Sequence, residues 1–161
     1  MDSIKERFKV KADLLGAEIK QMIKEHGNKV IGEVTLSQVY QGMRGMTGLV
    51  TETSLLDANE GIRFRGYSIP ELKEKLPTVV GGSEPLPEGL FHLMLLGELP
   101  TQEEADTITA TLQRRSHVPN YVFDTIEALP VSSHPMTMFV VAIMALQNGS
   151  HFAKAYASGM N

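Results

Sequence analysis

Between residues 4 and 26, apolar side chains fall at Ile4, Phe8, Leu15, Ile19, Met22 and Ile23, which is the spacing of one helix face. Gly27-Asn28 stops that helix, and Lys20, Lys24 and His26 gather near its C-terminal end, where the helix dipole favours cations. The stripe is narrow, it is broken at Lys11, and the opposite side is charged. A helix of that kind packs at the edge of a fold.

The pattern changes over residues 29–67. Val30, Ile31, Val34, Leu36, Val39 and Tyr40 are mostly β-branched or aromatic, and glycines recur at 32, 42, 45, 48, 61 and 66. Asp57-Ala58-Asn59-Glu60-Gly61 is a turn signal, and Ile62-Arg63-Phe64-Arg65 alternates apolar with basic. Short strands and glycine turns are expected here, forming a small antiparallel β subsection.

Helical signals return after Tyr67. Ser68-Ile69-Pro70-Glu71 has capping-box spacing and opens a short helix to Leu76, stopped by Pro77. An apolar helix over 87–96 ends at Gly97, and Thr101-Gln102-Glu103-Glu104 repeats the capping box ahead of a helix through Arg115. Further helices are predicted over 120–129, 136–147 and 151–158. The stretch 136–146 is apolar except for Thr137, too short to cross a bilayer and apolar on every side. Such a helix must be enclosed by other structure or by a partner. The class is mainly α, and no linker divides the chain.

Composition narrows the function classes. The 161 residues, 42% hydrophobic and 21% charged, suit one globular domain. With no cysteine, thiol catalysis, thiolate zinc sites and iron–sulfur clusters are excluded. A net charge of -4 argues against nucleic acid as a partner. The first residues carry neither a signal-peptide apolar run nor an acid-poor transit pattern, which points to the cytoplasm; a processed organellar protein carries the same pattern.

Three constellations hold candidate chemistry. Gly42-Met43-Arg44-Gly45-Met46-Thr47-Gly48 spaces glycines by three around an arginine. It reads either as a tight structural turn or as a loop offering a guanidinium to a phosphate, and it matches neither the P-loop nor the dinucleotide pattern. Arg63 and Arg65 would share one strand face, either salt-bridged or binding an anion. The histidines 26, 92, 117, 134 and 151 show no metal-ligand spacing, and His134 ahead of Pro135 suits a helix cap. The carboxylates fall mostly on polar helix faces, where solvation is expected, and no acid–base pair is read from spacing.

Several ordered segments resemble citrate synthase, in the form shared by mitochondria and some bacteria. They are Tyr40-Gln41-Gly42-Met43-Arg44-Gly45-Met46, residues 60–70 from Glu60 to Pro70, Pro85-Leu86-Pro87-Glu88-Gly89-Leu90-Phe91, His134-Pro135-Met136 and residues 152–157. The resemblance implies large-domain helices and a homodimer formed through the helices near 120–129 and 136–147. It implies condensation of acetyl-CoA with oxaloacetate and water to citrate and CoA, using two histidines and an aspartate and needing no cofactor or metal. The family's Pro-Leu-His-Gly segment is absent, so no catalytic residue is carried over. Arg44 is carried over as a ligand of CoA phosphates, while Arg63 and Arg65 are assigned structural roles. Residues 1–161 are therefore expected to be the N-terminal part of the large domain, inactive alone, or else a non-catalytic dimerisation module. No nucleic-acid or membrane partner is expected, and the location is cytoplasmic or, alternatively, the mitochondrial matrix after processing.

Overall fold

The computed structural model describes residues 2–160 apart from 44, 47 and 49. The chain forms two compact units, residues 1–112 and residues 113–161. The boundary falls in the last turn of a helix, not in a glycine- or proline-rich linker.

The first unit begins with α1 (Asp2–His26) and α2 (Leu36–Tyr40), followed by strands β1 (Ser54–Asp57), β2 (Gly61–Phe64) and β3 (Tyr67–Ser68). The strands pair antiparallel in the order β1-β2-β3, with Leu55 opposite Arg63 and Phe64 opposite Tyr67. Turn chemistry sets this register. Asp57 Oδ1 accepts from the amides of Asn59 at 2.8 Å and Glu60 at 2.9 Å, and Gly61 takes the left-handed φ of 84° that closes the loop. Between β2 and β3, Arg65 (φ 49°) and Gly66 (φ 88°) are both left-handed, the pattern of a type I′ turn.

Helices α3 (Ile69–Lys75), α4 (Pro87–Leu96) and α5 (Gln102–Arg114) follow. Ser68 and Glu71 form the expected capping box, as do Thr101 and Glu104. Proline fits the first turn of α4, where an amide would lack a partner, and left-handed Gly97 (φ 72°) ends it. The core is built around α4. Leu93 packs with Leu72 and Leu76, flanked by Phe64, Tyr67, Leu90 and Leu99, whereas Leu96 packs with Ile4 and Ile108. Only Ile4 of α1 is buried among its described side chains, which makes α1 peripheral as expected.

The second unit holds α6 (Asn120–Glu127), α7 (Pro135–Leu146) and α8 (His151–Ala157), with a 3-10 turn at Gln147–Gly149. His134 caps α7, its Nδ1 accepting the Met136 amide at 3.1 Å. No residue of α7 is buried, and Phe139 is 57% exposed. Within this unit one side of α7 packs against α6, with Met138, Val141 and Leu146 half-buried, and the other side leaves apolar surface exposed.

Two sequence expectations are corrected. Residues 29–35 form no strand, and Leu36–Tyr40 is helical, because Thr35-Leu36-Ser37-Gln38 is itself a capping box whose local hydrogen bonds outweigh the β-branched composition. Arg65 lies in the turn beyond β2, so it does not share a strand face with Arg63. The class, mainly α with a small antiparallel sheet, stands as expected.

Leu93 is 0% exposed at the centre of its cluster. Leu93→Ala is therefore expected to destabilise the first unit by about 2–5 kcal/mol, read as a lowered denaturant midpoint.

Candidate functional site

The glycine loop starts from a fixed point. Gln38 N donates to Thr35 Oγ1 at 3.2 Å while Thr35 N donates to Gln38 Oε1 at 3.0 Å, anchoring α2. Directly after α2, left-handed angles occur at Gly42 (φ 77°), Met43 (φ 61°) and Gly45 (φ 73°). Met43 N donates to Gln38 O at 2.7 Å and holds the bend. Glycine adopts this geometry without steric cost, which explains the residue type at 42 and 45. Arg44 and Thr47 lie outside the described residues. The loop borders a hollow of about 160 Å³ whose lining includes Glu33, Gln38 and Gly45. A carboxylate in that wall repels anions, so a phosphate held here would depend on a guanidinium.

The two arginines of the β region are engaged structurally. Arg63 donates to Glu60 Oε2 through Nε (3.1 Å) and Nη2 (2.9 Å), and through Nη1 to Gly66 O at 3.0 Å. Arg65 reaches the end of α4, donating to Met94 O from Nε at 3.2 Å and Nη2 at 2.8 Å, with Glu52 Oε2 at 3.5 Å from Nη1. Arg63 in β2 thus joins the two turns that flank its strand, and Arg65 ties the β2–β3 turn to α4, which agrees with the structural roles assigned to them.

A charged network absent from the sequence reading joins α1 to the α4–α5 corner. Arg7 donates to Glu104 Oε1 at 2.5 Å and Glu98 Oε2 at 2.9 Å. Lys11 pairs with Glu98 and donates to Leu96 O at 2.5 Å. These carboxylates are thus not merely solvated, as their polar faces suggested. The Thr101 amide, and after it the Arg7 guanidinium, pull the Glu104 carboxyl from its ordinary 4.5 down to about 2. Glu98 is lowered as well, first by the hydrogen bond from Lys11. The pattern could not be read from spacing, since Arg7 and Glu104 stand 97 positions apart.

Among the described residues, the polar contacts of His26, His92 and His134 are made within the fold's own elements. His92 is 0% exposed, with Nδ1 3.1 Å from Glu98 O and Nε2 3.7 Å from Glu104 Oε1. His134 serves as a cap, and His26 lies exposed beside Glu25. Among the described residues, no group of three or more histidine or acidic side chains could hold a metal ion. No helix among them is long and apolar enough to cross a membrane.

A family model described as the citrate synthase C-terminal domain matches residues 42–160. The chain is 50% identical over 159 residues to the mitochondrial citrate synthase of Saccharomyces cerevisiae, covering 99% of this chain and 33% of that protein. The chain belongs to the citrate synthase family. The mitochondrial citrate synthase of Daucus carota is 54% identical over 143 residues, covering 89% of this chain and 30% of the relative. The mitochondrial 2-methylcitrate synthase of Yarrowia lipolytica is 48% identical over 163 residues, covering 99% of this chain and 34% of the relative. The chain spans about a third of the length of these relatives. The family match takes in the glycine loop, the β region and both histidine-led helices α7 and α8.

The Glu104 carboxyl fixes a pH dependence. Its pKa is depressed on folding, so the unfolded chain binds the proton more readily, and the stability that this carboxyl contributes is present above 4.5 and lost as pH falls toward about 2. The denaturant midpoint is expected to drop across that window. Glu104→Gln keeps the capping-box residue type but removes the charge, and is expected to flatten the drop.

Proposed function

We propose that this chain contributes the helical platform of an enzyme that condenses acetyl-CoA with oxaloacetate and water, giving citrate and free CoA, and that it does not turn over alone. The observation that carries this reading is the 50% identity across 99% of the chain to a citrate synthase three times as long. Such a condensation needs a base beside the acetyl methyl group and hydrogen-bond donors where the enolate oxygen develops. The sealed position of His92 and the capping role of His134 support the absence of that machinery here.

Arg44 is assigned to the phosphates of CoA. The support is its place between left-handed glycines 42 and 45, where the backbone can pass close to a ligand, and the forked geometry a guanidinium offers a phosphate. The exposed apolar face of α7, with Met136, Phe139, Val140, Ile143 and Met144, is assigned to a second copy of the chain, together with α6. The relatives are named as mitochondrial proteins, which favours the organellar location over the cytoplasm, and we assign the chain to the mitochondrial matrix. In this reading the chain belongs to the N-terminal part of the large domain and needs neither metal nor cofactor. A second reading, a dimerisation module without a catalytic role, rests on the same exposed apolar face of α7.

Thiol release from acetyl-CoA in the presence of oxaloacetate tests the first claim, with the acyl homologue one carbon longer run alongside because one relative is named for 2-methylcitrate. No release above background is expected from the 161-residue chain; turnover like that of a whole synthase would overturn inactivity. Light scattering is expected to report a dimer that dissociates in the Phe139→Glu, Met144→Glu double variant. Arg44→Ala is expected to weaken CoA binding by about 1.5–3 kcal/mol, the worth of hydrogen bonds to a charged group, as read by titration calorimetry.

A further inference from the structure

The 3-10 turn that joins α7 to α8 contains a reactive dipeptide. Asn148 and Gly149 are both exposed. Ser150 N donates to Gln147 O at 3.0 Å across the turn, and Ser150 Oγ accepts the Ala153 amide at 3.1 Å to start α8. A Cβ placed on Gly149 would meet nothing within 4 Å, so the space around this residue is open. A 3-10 turn has poorer hydrogen-bond geometry than an α-helix, and an exposed one opens readily. Once opened, Asn148 has beside it the peptide nitrogen least hindered by its own residue, because glycine carries no side chain and rotates freely.

We propose that Asn148–Gly149 is a site of spontaneous deamidation. The Gly149 amide nitrogen, giving its proton to solvent, attacks Asn148 Cγ. An N–Cγ bond closes the succinimide ring, the Cγ–Nδ2 bond breaks, and the leaving nitrogen takes up a proton and departs as ammonia. Water then adds to one of the two ring carbonyl carbons, the bond from that carbon to the ring nitrogen breaks, and the nitrogen regains a proton as an amide. One opening gives aspartate, and the other gives isoaspartate, whose main chain runs through Cβ and Cγ of residue 148. The net change is asparagine plus water to an acidic residue plus ammonia, with no oxidant and no enzyme.

Three other asparagines have surroundings that disfavour the same attack. Asn28, Asn59 and Asn120 precede Lys29, Glu60 and Tyr121, whose side chains hinder attack. The Glu60 amide is moreover already donated to Asp57 Oδ1 at 2.9 Å. At 148 the product puts a carboxylate directly after α7. The isoaspartyl form also lengthens the backbone inside the turn closed by Ser150 N and Gln147 O, disturbing the entry to α8.

The test is ageing of the purified 161-residue chain in warm, mildly alkaline buffer, followed by ion exchange and peptide mass analysis. A species one charge more negative is expected to accumulate, with its peptide around residue 148 heavier by about 1 Da. Fresh Asn148→Asp protein is expected to coincide with one of its two isomers. Gly149→Ala, which the open space and an unstrained φ allow to fold, is expected to slow conversion roughly tenfold. Mass gain confined to other asparagines, or conversion of Gly149→Ala at the unmodified rate, would overturn the assignment.

Discussion

The last carbonyls of α4 have no partner within the helix, and two cations from distant parts of the chain supply one. Lys11 of α1 donates to Leu96 O, and Arg65 of the β2–β3 turn donates to Met94 O. Both place positive charge where the helix dipole is negative. Left-handed Gly97 then turns the chain, and the ring of His92 lies against the carbonyl of Glu98. Because Leu93 and Leu96 anchor separate apolar clusters, α1, the sheet, α3 and α5 all take their positions from this one helix and its polar end. Arg7 reinforces the arrangement by joining Glu98 to the capping carboxylate of Glu104.

Much of this was legible in the sequence where the signal is local. Pro87 and Gly97 bracket α4, Ser68 with Glu71 and Thr101 with Glu104 mark two helix starts, and His134 announces the cap of α7. The same kind of signal at Thr35 and Gln38 stands among β-branched residues whose composition points to strand, which hides α2 in the sequence. Long-range partners were invisible for a different reason: spacing along the chain carries no distance information across a fold. Arg7 and Glu104 therefore read as separate solvated charges. At the site, the glycines at 42 and 45 betrayed a special backbone, but the role proposed for Arg44 came from family resemblance and not from any local pattern.

The distribution of apolar surface completes the picture. In the first unit the buried leucines are concentrated on α3 and α4, while most of the α1 stripe is open, with Met22 and Ile23 well exposed. In the second unit Val122 is buried, yet the most apolar helix of the chain has no buried residue. Exposed apolar faces of this extent are characteristic of surfaces that meet other protein. They accord with relatives about three times as long as the chain.

Arg65 also holds a lesson for anyone seeking to harden this scaffold. Its left-handed backbone costs an ordinary residue roughly 1–2 kcal/mol, and asparagine or glycine would relieve it. A consensus-minded engineer would therefore mark the position for replacement. Yet neither shorter residue reaches the Met94 carbonyl, so the exchange would improve the hairpin while taking the side-chain donor from one carbonyl at the end of α4. The arginine is a compromise between two scales of structure, and only the larger one explains why it stays.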